Sequence, residues 1–365
     1  MEDATMADLF GEAPARSSRW RGGLLVAGAL AGATAAWVHE RARRAEREHP
    51  PTGRFMHLDG VRLHYQTWGS GPDLALLHGN AFYSADLLAS GLVQRLARDY
   101  RVILFDRPGF GHSSRPRDRL WTPRAQAALL HRALGALGAD RPLVLGHSLG
   151  ALVALAMALD YPASVAGLVL ASGYYYPTLY GPSLMVAPVA LPVLGDAMRY
   201  TVSAVSARLL LGHTVRQAFA PREVPPDFFQ QLARELLLRP SQLRAAAEDG
   251  ALMLPQVRLL APRYPQLRVP VAVLAGAHDR VVDPDTHSRR LAAELPHSRL
   301  HIVRGAGHMV HHAAQEAVEE QVRAVLEDAR RPRPPGDTQA AARAQLDALA
   351  PDGLATVTAS GNPPA

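Results

Sequence analysis

A pentapeptide in the middle of the chain places the tightest constraint on its fold. Gly146-His147-Ser148-Leu149-Gly150 directly follows the apolar run Leu143–Leu145 and opens a helical pattern over Leu149–Asp160. A chain that passes from strand to helix without a loop strains the backbone at the central residue, and small residues two positions before and after it permit the close packing. The pattern therefore predicts a strand, a sharp turn at Ser148 and a helix.

Short apolar runs of this kind recur along the chain and alternate with helical patterns. Asp59-Gly60 is a hairpin signal between the runs Arg54–Leu58 and Val61–Trp68. Continuous apolar strands that alternate with helices are typical of a mostly parallel, twisted sheet with helices on both faces, and we predict an α/β fold of this kind. The other predicted strands are Leu74–Leu77, Val102–Phe105, Leu143–Leu145, Leu168–Leu170, Val271–Leu274 and Ile302-Val303, and the predicted helices are Ala85–Asp99, Pro123–Leu137, Leu149–Asp160 and Ala313–Asp328.

One long segment interrupts this alternation. Residues 174–264 contain no clear strand but several helical pieces. Since connections in α/β units usually have about 2–6 residues, we interpret this segment as an inserted helical cap. The α/β core then consists of residues 55–173 and 265–328. Residues 329–365 are rich in Pro, Ala and Gly, and we expect them to be disordered.

An uncharged run lies near the amino terminus. Gly22–Val38 has 17 residues without a charge and separates a polar leader, residues 1–21, from an arginine-rich segment, residues 39–54, which we predict to be a linker. A helix of about 17–25 apolar residues can span a bilayer. The run is therefore a candidate membrane segment.

Three interpretations of this run compete. Trp20 and Trp37 near its ends favour a retained anchor, because tryptophan concentrates at membrane interfaces. Ala33-Thr34-Ala35 resembles the cleavage site of a signal peptide, which would make the protein secreted or periplasmic. A soluble Ala-rich helix is the third. We favour the anchor, and arginines on both sides of the run give no indication of its orientation.

Composition and charge narrow the classes of function. The formal net charge is +6 and the pI is near 9.9, but all 39 basic residues are arginine. Such uniform usage indicates codon bias rather than a basic binding surface, so we predict no nucleic-acid partner. The chain has no cysteine, which excludes disulfides, thiolate catalysis and thiolate metal sites. Nothing in the sequence indicates an oligomeric state.

Ser148 needs a base to act as a nucleophile, and the base needs an acid to orient it. With this turn the expected chain order is serine, acid, histidine. Asp279 follows the predicted strand Val271–Leu274 and is therefore expected at the carboxyl edge of the sheet, where catalytic groups collect. Asp283 is a rival that lies further from the strand end. We predict Asp279 as the acid.

His308 is the predicted base. It follows Ile302-Val303 in Gly305-Ala306-Gly307-His308, again between a strand and a helix. His311 and His312 are rivals for this role. His308 and His312 have the i, i+4 spacing of a metal-binding pair on a helix, but the Glu of the HExxH arrangement is absent, and we predict no metal.

The developing oxyanion needs two donors. The N–H of Leu149, which opens the helix after Ser148, is the first. The second should follow the strand Leu74–Leu77, and we assign it to the N–H of Asn80 in His78-Gly79-Asn80, with Ala81 as the alternative. A plain strand-exit turn would explain the same residues.

These motifs, in this order, resemble those of the α/β-hydrolase superfamily between about Phe55 and Asp328. The loop Asp106–Ser113 and His78-Gly79-Asn80 are also similar to those of epoxide hydrolases and haloalkane dehalogenases, whose nucleophile is an aspartate. A serine at position 148 cannot form their alkyl-ester intermediate, which disfavours both activities. We interpret the Asp106–Ser113 loop as structural rather than as a substrate contact.

The resemblance implies acyl transfer to water, without a cofactor, on an ester, lactone, thioester or amide. Some similar proteins with a serine triad cleave carbon–carbon bonds or make peracids, and a non-catalytic ligand receptor is the alternative from another class. Apolar cap segments, Tyr174-Tyr175-Tyr176, Leu184-Met185-Val186 and Phe228-Phe229, form mostly cap core in our interpretation. The remainder favours a small substrate with an apolar acyl or aryl group.

Overall fold

Eight strands form one mixed sheet in the computed structural model, which describes residues 16–178, 187–295 and 297–331. The strands are β1 Arg54–Leu58, β2 Val61–Trp68, β3 Asp73–Leu77, β4 Arg101–Phe105, β5 Leu143–His147, β6 Gly167–Ala171, β7 Val271–Gly276 and β8 Ser298–Val303. Their order across the sheet is β1-β2-β4-β3-β5-β6-β7-β8. β2 pairs antiparallel with β1 and with β4, and every other neighbouring pair is parallel.

The predicted α/β fold is confirmed, because helices cover both faces of this sheet. The core helices are α2 Ser84–Ala89, α3 Leu92–Leu96, α4 Pro123–Ala136, α5 Leu149–Asp160, α11 Arg290–Glu294, α12 Val310–Ala313 and α13 Gln315–Arg330. One apolar cluster contains the buried apolar side chains of α4 and α5, and a second contains those of α2, α3 and α13. Residues Leu149–Leu159 of α5 are all buried, which explains why this helix is apolar on every side.

The helix predicted over Ala85–Asp99 is instead two short helices. Gly91 separates α2 from α3 in the left-handed conformation, with φ +77°. The Ser90 hydroxyl donates to the carbonyl of Leu87 and accepts from the N–H of Leu92. It thereby satisfies two backbone groups that would pair with other backbone groups in a continuous helix. The prediction was wrong here because local side-chain bonds compete with helix continuation at serine and glycine.

Helices also fill the described part of the predicted cap. The longest of these cap helices, Pro240–Leu260, includes Pro255 and ends six residues after the predicted Ser241–Leu254. The helix predicted over Asp227–Leu238 is broken at Ala233, whose φ is +47°. Leu184-Met185-Val186 lies outside the described residues. The cap helices are α6 Leu194–Arg199, α7 Val202–Phe219, α8 Phe228–Gln231, α9 Arg234–Leu237 and α10 Pro240–Leu260.

The amino-terminal helix α1 extends over Arg16–Glu48, so the segment predicted as a linker is helical as far as Glu48. The reason is packing, because Val38 is buried and Ala45 belongs to the apolar cluster of the cap. The earlier part of α1 is exposed, and it is the one helix among the described residues that is long and apolar enough to cross a membrane or to serve as a signal sequence. Residues 1–15 of the leader and 332–365 of the tail lie outside the described residues.

Candidate active site

The strand-to-helix turn at Ser148 has the strained geometry that the sequence predicts. Ser148 has φ +52° and ψ −118°, although it is not a glycine. A Cβ atom at Gly146 would lie 2.4 Å from the carbonyl oxygen of Gly150, and one at Gly150 would lie 2.3 Å from that of Leu77. Only glycine fits at both positions. The turn therefore holds the partly exposed Ser148 side chain at the carboxyl end of β5.

Asp279 and His308 meet at the same edge of the sheet. Asp279 follows β7, His308 follows β8, and these strands are neighbours. The Nδ1 atom of His308 lies 2.8 Å from Oδ2 of Asp279, and both residues are buried. Because a carboxylate can only accept, Nδ1 carries the proton and Nε2 of the neutral ring is left as a proton acceptor.

The other carboxylate oxygen of Asp279 is fixed as well. Oδ1 accepts hydrogen bonds of 2.9 Å from the N–H groups of Val281 and Val282. Two backbone donors on one oxygen and an imidazole on the other leave the carboxylate a single orientation. This loop therefore determines the ring orientation of His308 through Asp279.

The loop that carries His308 is tied to the turn that carries Ser148. Nε2 of His147 lies 3.0 Å from the carbonyl oxygen of His308, and the two rings are 4.9 Å apart at their centroids. Burial above all holds the pKa of His147 well below its ordinary value, because a charged imidazolium would lie out of water beside the imidazoles of His311 and His308. His147 is therefore a neutral donor that connects the residue before the nucleophile to the backbone of the predicted base.

The rival residues have other partners. Asp283 is exposed, and its Oδ1 atom accepts from the N–H and the hydroxyl of Thr286, as in a helix cap. His311 and His312 both place Nε2 at 2.9 Å from a carboxylate oxygen of Asp86. Because His308 and His312 contact different carboxylates, the structure does not bring them together as a metal-binding pair.

Asp86 was missed by sequence reasoning, since it lies within a predicted helix with no motif around it. Burial would raise its pKa, but the charge and hydrogen bonds of His311 and His312 hold the pKa well below the ordinary value for aspartate. The three side chains place potential ligand atoms within 4.8 Å of one another, and they are the residues in the described part of the chain that could hold a metal ion. Both carboxylate oxygens already accept hydrogen bonds, which accounts for the cluster as a buried tie between α2 and α12.

The segment His78-Gly79-Asn80 lies against the nucleophile. A Cβ atom at Gly79 would be 3.1 Å from that of Ser148. The carbonyl oxygen of Gly79 accepts from Arg107 at 2.9 Å and from Nδ1 of His78 at 2.8 Å. Since the N–H of a trans peptide points opposite to its carbonyl, the N–H of Asn80 is directed away from these donors. No described residue accepts a hydrogen bond from it.

Two further contacts distinguish Asn80 from Ala81. The N–H of Ala81 donates to Oδ1 of Asn80 at 2.9 Å, so it already has a partner. The side-chain Nδ2 of Asn80 also donates to the carbonyl of Ala246 in the cap at 3.0 Å. The N–H of Leu149 opens α5 and has no acceptor within the helix. Among the described residues of these two segments, the N–H groups of Asn80 and Leu149 have no hydrogen-bond acceptor, and their role as oxyanion donors stays a prediction.

Arg107 positions this segment, and sequence reasoning did not assign it a role. Besides Gly79, it donates to the carbonyl of His78 at 2.9 Å and pairs with Asp249 of α10 at 2.7 Å. Both charged groups are fully buried. Asp106 in the same loop binds His64 at 2.7 Å and the N–H groups of Ser84 and His112. These contacts support the structural interpretation of the Asp106–Ser113 loop.

The sequence profile of a family described as alpha/beta hydrolase fold matches residues 74–314. The chain belongs to this family. The match includes the Ser148 turn, Asp279 and His308, and it starts at the strand before His78-Gly79-Asn80. The α/β-hydrolase fold predicted from the motifs is thus confirmed by the sheet and by the family, and the chain is a hydrolase of this family.

Individual relatives show what the α/β-hydrolase is similar to. An uncharacterized protein of Mycobacterium tuberculosis is 29% identical over 277 residues, which cover 72% of this chain and 77% of the relative. A protein of Cronobacter turicensis, provisionally named a carbamate hydrolase, is 31% identical over 221 residues, or 58% of this chain and 76% of the relative. The structure of a thermophilic esterase from Thermogutta terrifontis matches with a TM-score of 0.62 at 24% identity, covering 76% of this chain and 98% of the esterase. That likeness concerns the fold.

Proposed function

We propose that this hydrolase is a serine esterase, which cleaves an ester-type bond of a small apolar substrate through an acyl-enzyme on Ser148. The proposal rests on the hydrogen bond of 2.8 Å between His308 and Asp279, which lies beside the strained Ser148 turn. This bond leaves a neutral imidazole nitrogen as the acceptor that a serine nucleophile requires. Carboxylic esters, lactones and thioesters all suit this chemistry.

The reaction proceeds in two halves. In the first, Oγ of Ser148 attacks the carbonyl carbon while Nε2 of His308 takes the hydroxyl proton and then delivers it to the leaving group. In the second, His308 removes a proton from water, the hydroxide attacks the acyl carbon, and the proton returns to Ser148 as the acid is released. Asp279 keeps the proton on Nδ1 throughout and stabilises the imidazolium.

The negative charge that develops on the carbonyl oxygen is stabilised by the N–H groups of Leu149 and Asn80. Both are backbone donors held in place before the substrate binds, Leu149 by α5 and Asn80 by the bonds of Arg107 and His78 to the preceding carbonyl. Prearranged donors need no reorganisation during the reaction, and each typically contributes about 2.7–4 kcal/mol to transition-state stabilisation.

The apolar preference is supported by the aromatic and aliphatic side chains of the cap. Tyr174, Tyr175 and Tyr176 are buried, and His287 accepts from the N–H groups of the last two, so these tyrosines belong to the core at the start of the cap. Phe228 is likewise part of the apolar cap cluster. This cluster also contains Met309, the neighbour of His308 in the chain, which places apolar side chains next to the proposed base.

Anchoring by Gly22–Val38 is part of the proposal. Leu24 and Leu25 are 70% and 76% exposed, although they lie in an apolar helix. A bilayer would cover such a surface. The same helix continues without a break into contacts with the cap, so the Ala33-Thr34-Ala35 sequence lies inside a helix rather than in an extended segment. Both observations favour a retained anchor over a cleaved signal peptide.

Labelling with a fluorophosphonate probe tests the nucleophile. We expect one covalent adduct on Ser148 in the folded chain, and none in the Ser148→Ala variant. Hydrolysis of p-nitrophenyl esters of increasing chain length tests the substrate, and we expect octanoyl to be preferred to acetyl. Absence of labelling at Ser148 would favour a ligand receptor and contradict the esterase, while labelling without ester turnover would direct attention to carbon–carbon bond cleavage or peracid formation.

A further inference from the structure

The cap exposes a group of large apolar side chains on α6, α7 and the residues just before them. On α7, Val202, Val205, Leu209 and Leu210 are 67%, 41%, 77% and 54% exposed. Their spacing of three, seven and eight residues from Val202 places them on one side of the helix. The exposed members of this apolar face are Leu191, Val193, Leu194, Val202, Val205, Leu209 and Leu210.

The position of this face is fixed relative to α1. The guanidinium of Arg208, next to Leu209 in the chain, lies 4.9 Å from the ring centroid of Trp37. Two ion pairs hold the following turns of α1 on the cap, Arg41 with Glu235 at 3.0 Å and Glu46 with Arg239 at 2.9 Å. The apolar face therefore lies beside the end of the proposed membrane span.

Trp37 defines the depth of that position. Tryptophans at the ends of membrane spans lie at the level of the lipid headgroups. Because Arg208 stacks on Trp37, the neighbouring apolar face of α7 lies at the same level. In addition, 17 helical residues measure about 25 Å, which is shorter than the hydrocarbon layer of about 30 Å. A span shorter than the hydrocarbon layer is accommodated in part by local thinning of the bilayer, which brings the headgroups closer to the protein surface at the end of the span.

The charge of α7 suits a lipid surface. Val202–Phe219 contains no aspartate or glutamate, and its charged residues are Arg208 and Arg216. The helix therefore has no carboxylate of its own to repel anionic headgroups. Arg208 is paired with Glu235 at 2.6 Å, which leaves the exposed Arg216 to attract them. An exposed apolar side on a helix without acidic residues is compatible with a position in the membrane interface.

The opposite end of α7 reaches the candidate active site. Met309 donates through its N–H to the carbonyl of Ala218, and a Cβ atom at Gly307 would lie 2.0 Å from the carbonyl oxygen of Ala220. The residues on either side of His308 therefore pack against the carboxyl-terminal end of α7. One helix connects the apolar face to the loop of the proposed base.

We propose that the apolar face of α6 and α7 docks into the interface of the same bilayer that α1 spans, so that the cap receives substrate from the lipid phase. The proposal rests on the anchoring proposed above. The occupant of the face is the bilayer, and a second copy of the chain is the competing occupant. If the cap docks on the bilayer in this way, the enzyme should prefer acyl esters that partition into membranes over esters dissolved in water.

The absence of cysteine in the chain permits a direct test. The full-length variants Leu209→Cys and Val205→Cys are labelled with an environment-sensitive fluorophore and reconstituted into vesicles of phosphatidylcholine and phosphatidylglycerol. Leu25→Cys reports on the span, and Leu300→Cys, 39% exposed on the edge strand β8, is the matched control outside the cap. We expect bromine-labelled acyl chains to quench the fluorophore at positions 25, 205 and 209 but not at 300.

Each other outcome is decisive. Quenching at position 25 without quenching at 205 and 209 would overturn the docking and leave the anchor intact, whereas no quenching at 25 would remove the anchor and the docking together. If bromine-labelled acyl chains did not quench positions 205 and 209, and the labels on two chains were instead in contact with each other, a second copy of the chain would be the occupant. None of these outcomes depends on esterase activity, so they are separable from failure of the proposed function.

A kinetic arm uses the double variant Val205→Glu/Leu209→Glu. We expect this variant to hydrolyse a long-chain ester dissolved in vesicles about tenfold more slowly. The reason is that two apolar side chains buried in the bilayer interface should strengthen binding to the membrane by at least about tenfold. Hydrolysis of a water-soluble acetyl ester monitors folding, and Leu300→Glu is the control. An equal loss on both esters, or no loss on the vesicle substrate, would contradict delivery from the lipid phase.

Discussion

Replacing Asp279 by asparagine changes the charge of the proposed acid and keeps its shape. The N–H groups of Val281 and Val282 both donate to Oδ1 at 2.9 Å, so the asparagine must present its carbonyl oxygen to them. Its NH2 group then faces Nδ1 of His308, 2.8 Å from the replaced oxygen. Nδ1 has to accept this hydrogen bond, and the ring proton moves to Nε2. The nitrogen that should receive the Ser148 proton is then occupied.

The expected loss follows from this change of tautomer. A serine hydrolase with the wrong histidine tautomer loses about 10⁴-fold in kcat, which corresponds to about 5 kcal/mol of transition-state stabilisation. Folding should be little affected, since every donor around position 279 keeps an acceptor. The variant therefore separates a catalytic role of Asp279 from a structural one.

The assay is steady-state hydrolysis of a p-nitrophenyl ester, with thermal unfolding measured on the same preparations. Asp283→Asn is the matched control, because Asp283 is exposed and asparagine can replace it as a cap on Thr286. We expect the control to retain its activity. The reasoning would be refuted if Asp279→Asn kept activity within tenfold of the parent, or if Asp283→Asn showed the larger loss.

Three further predictions concern other parts of the molecule. Ser148→Ala should abolish ester turnover and leave the urea denaturation curve unchanged, and residual turnover above background would place the nucleophile elsewhere. Asp249→Asn removes the carboxylate from fully buried Arg107 and should lower the free energy of unfolding by about 3–5 kcal/mol in urea titration, so a smaller change would mean that Arg107 finds another partner. Hydrogen bonds from two arginines, Arg208 first, lower the pKa of Glu235 to about 2. The stabilisation that Glu235 provides, through Arg208 within the cap and through Arg41 of α1, should therefore be fully present above the ordinary glutamate pKa of about 4.5. It should be lost as the pH falls through 2, and amide protection of residues 37–48, corrected for intrinsic exchange, measures it; protection that is equal at pH 6 and pH 2 would contradict this.

Local sequence patterns were enough to predict the elements that depend on local physics. Apolar runs located the central strands of the sheet, because a buried strand must be apolar along its length. The Asp59-Gly60 turn signal located β1 and β2. The glycines around Ser148 predicted the sharp turn, since larger side chains would overlap the neighbouring backbone. The chain order of serine, acid and histidine after successive strands then led to the fold family that the comparisons establish.

The partners of the polar groups, by contrast, could be identified only in the folded chain. His311 and His312 were rivals of His308 in the sequence, and the fold places Asp86 beside both of them. Asp283 was the rival of Asp279, and the fold places Thr286 beside it. Hydrogen bonds and ion pairs join residues far apart in the chain, and no local pattern encodes such distances.

The same reason applies to Arg107 and α1. Arg107 and Asp249 are separated by 142 residues, yet their buried charges require each other and fix the carbonyls before Asn80. The sequence identified α1 as an apolar segment and could not indicate that its second half packs on the cap. That contact depends on side chains from α7 and α9, which come together with α1 only in the folded chain.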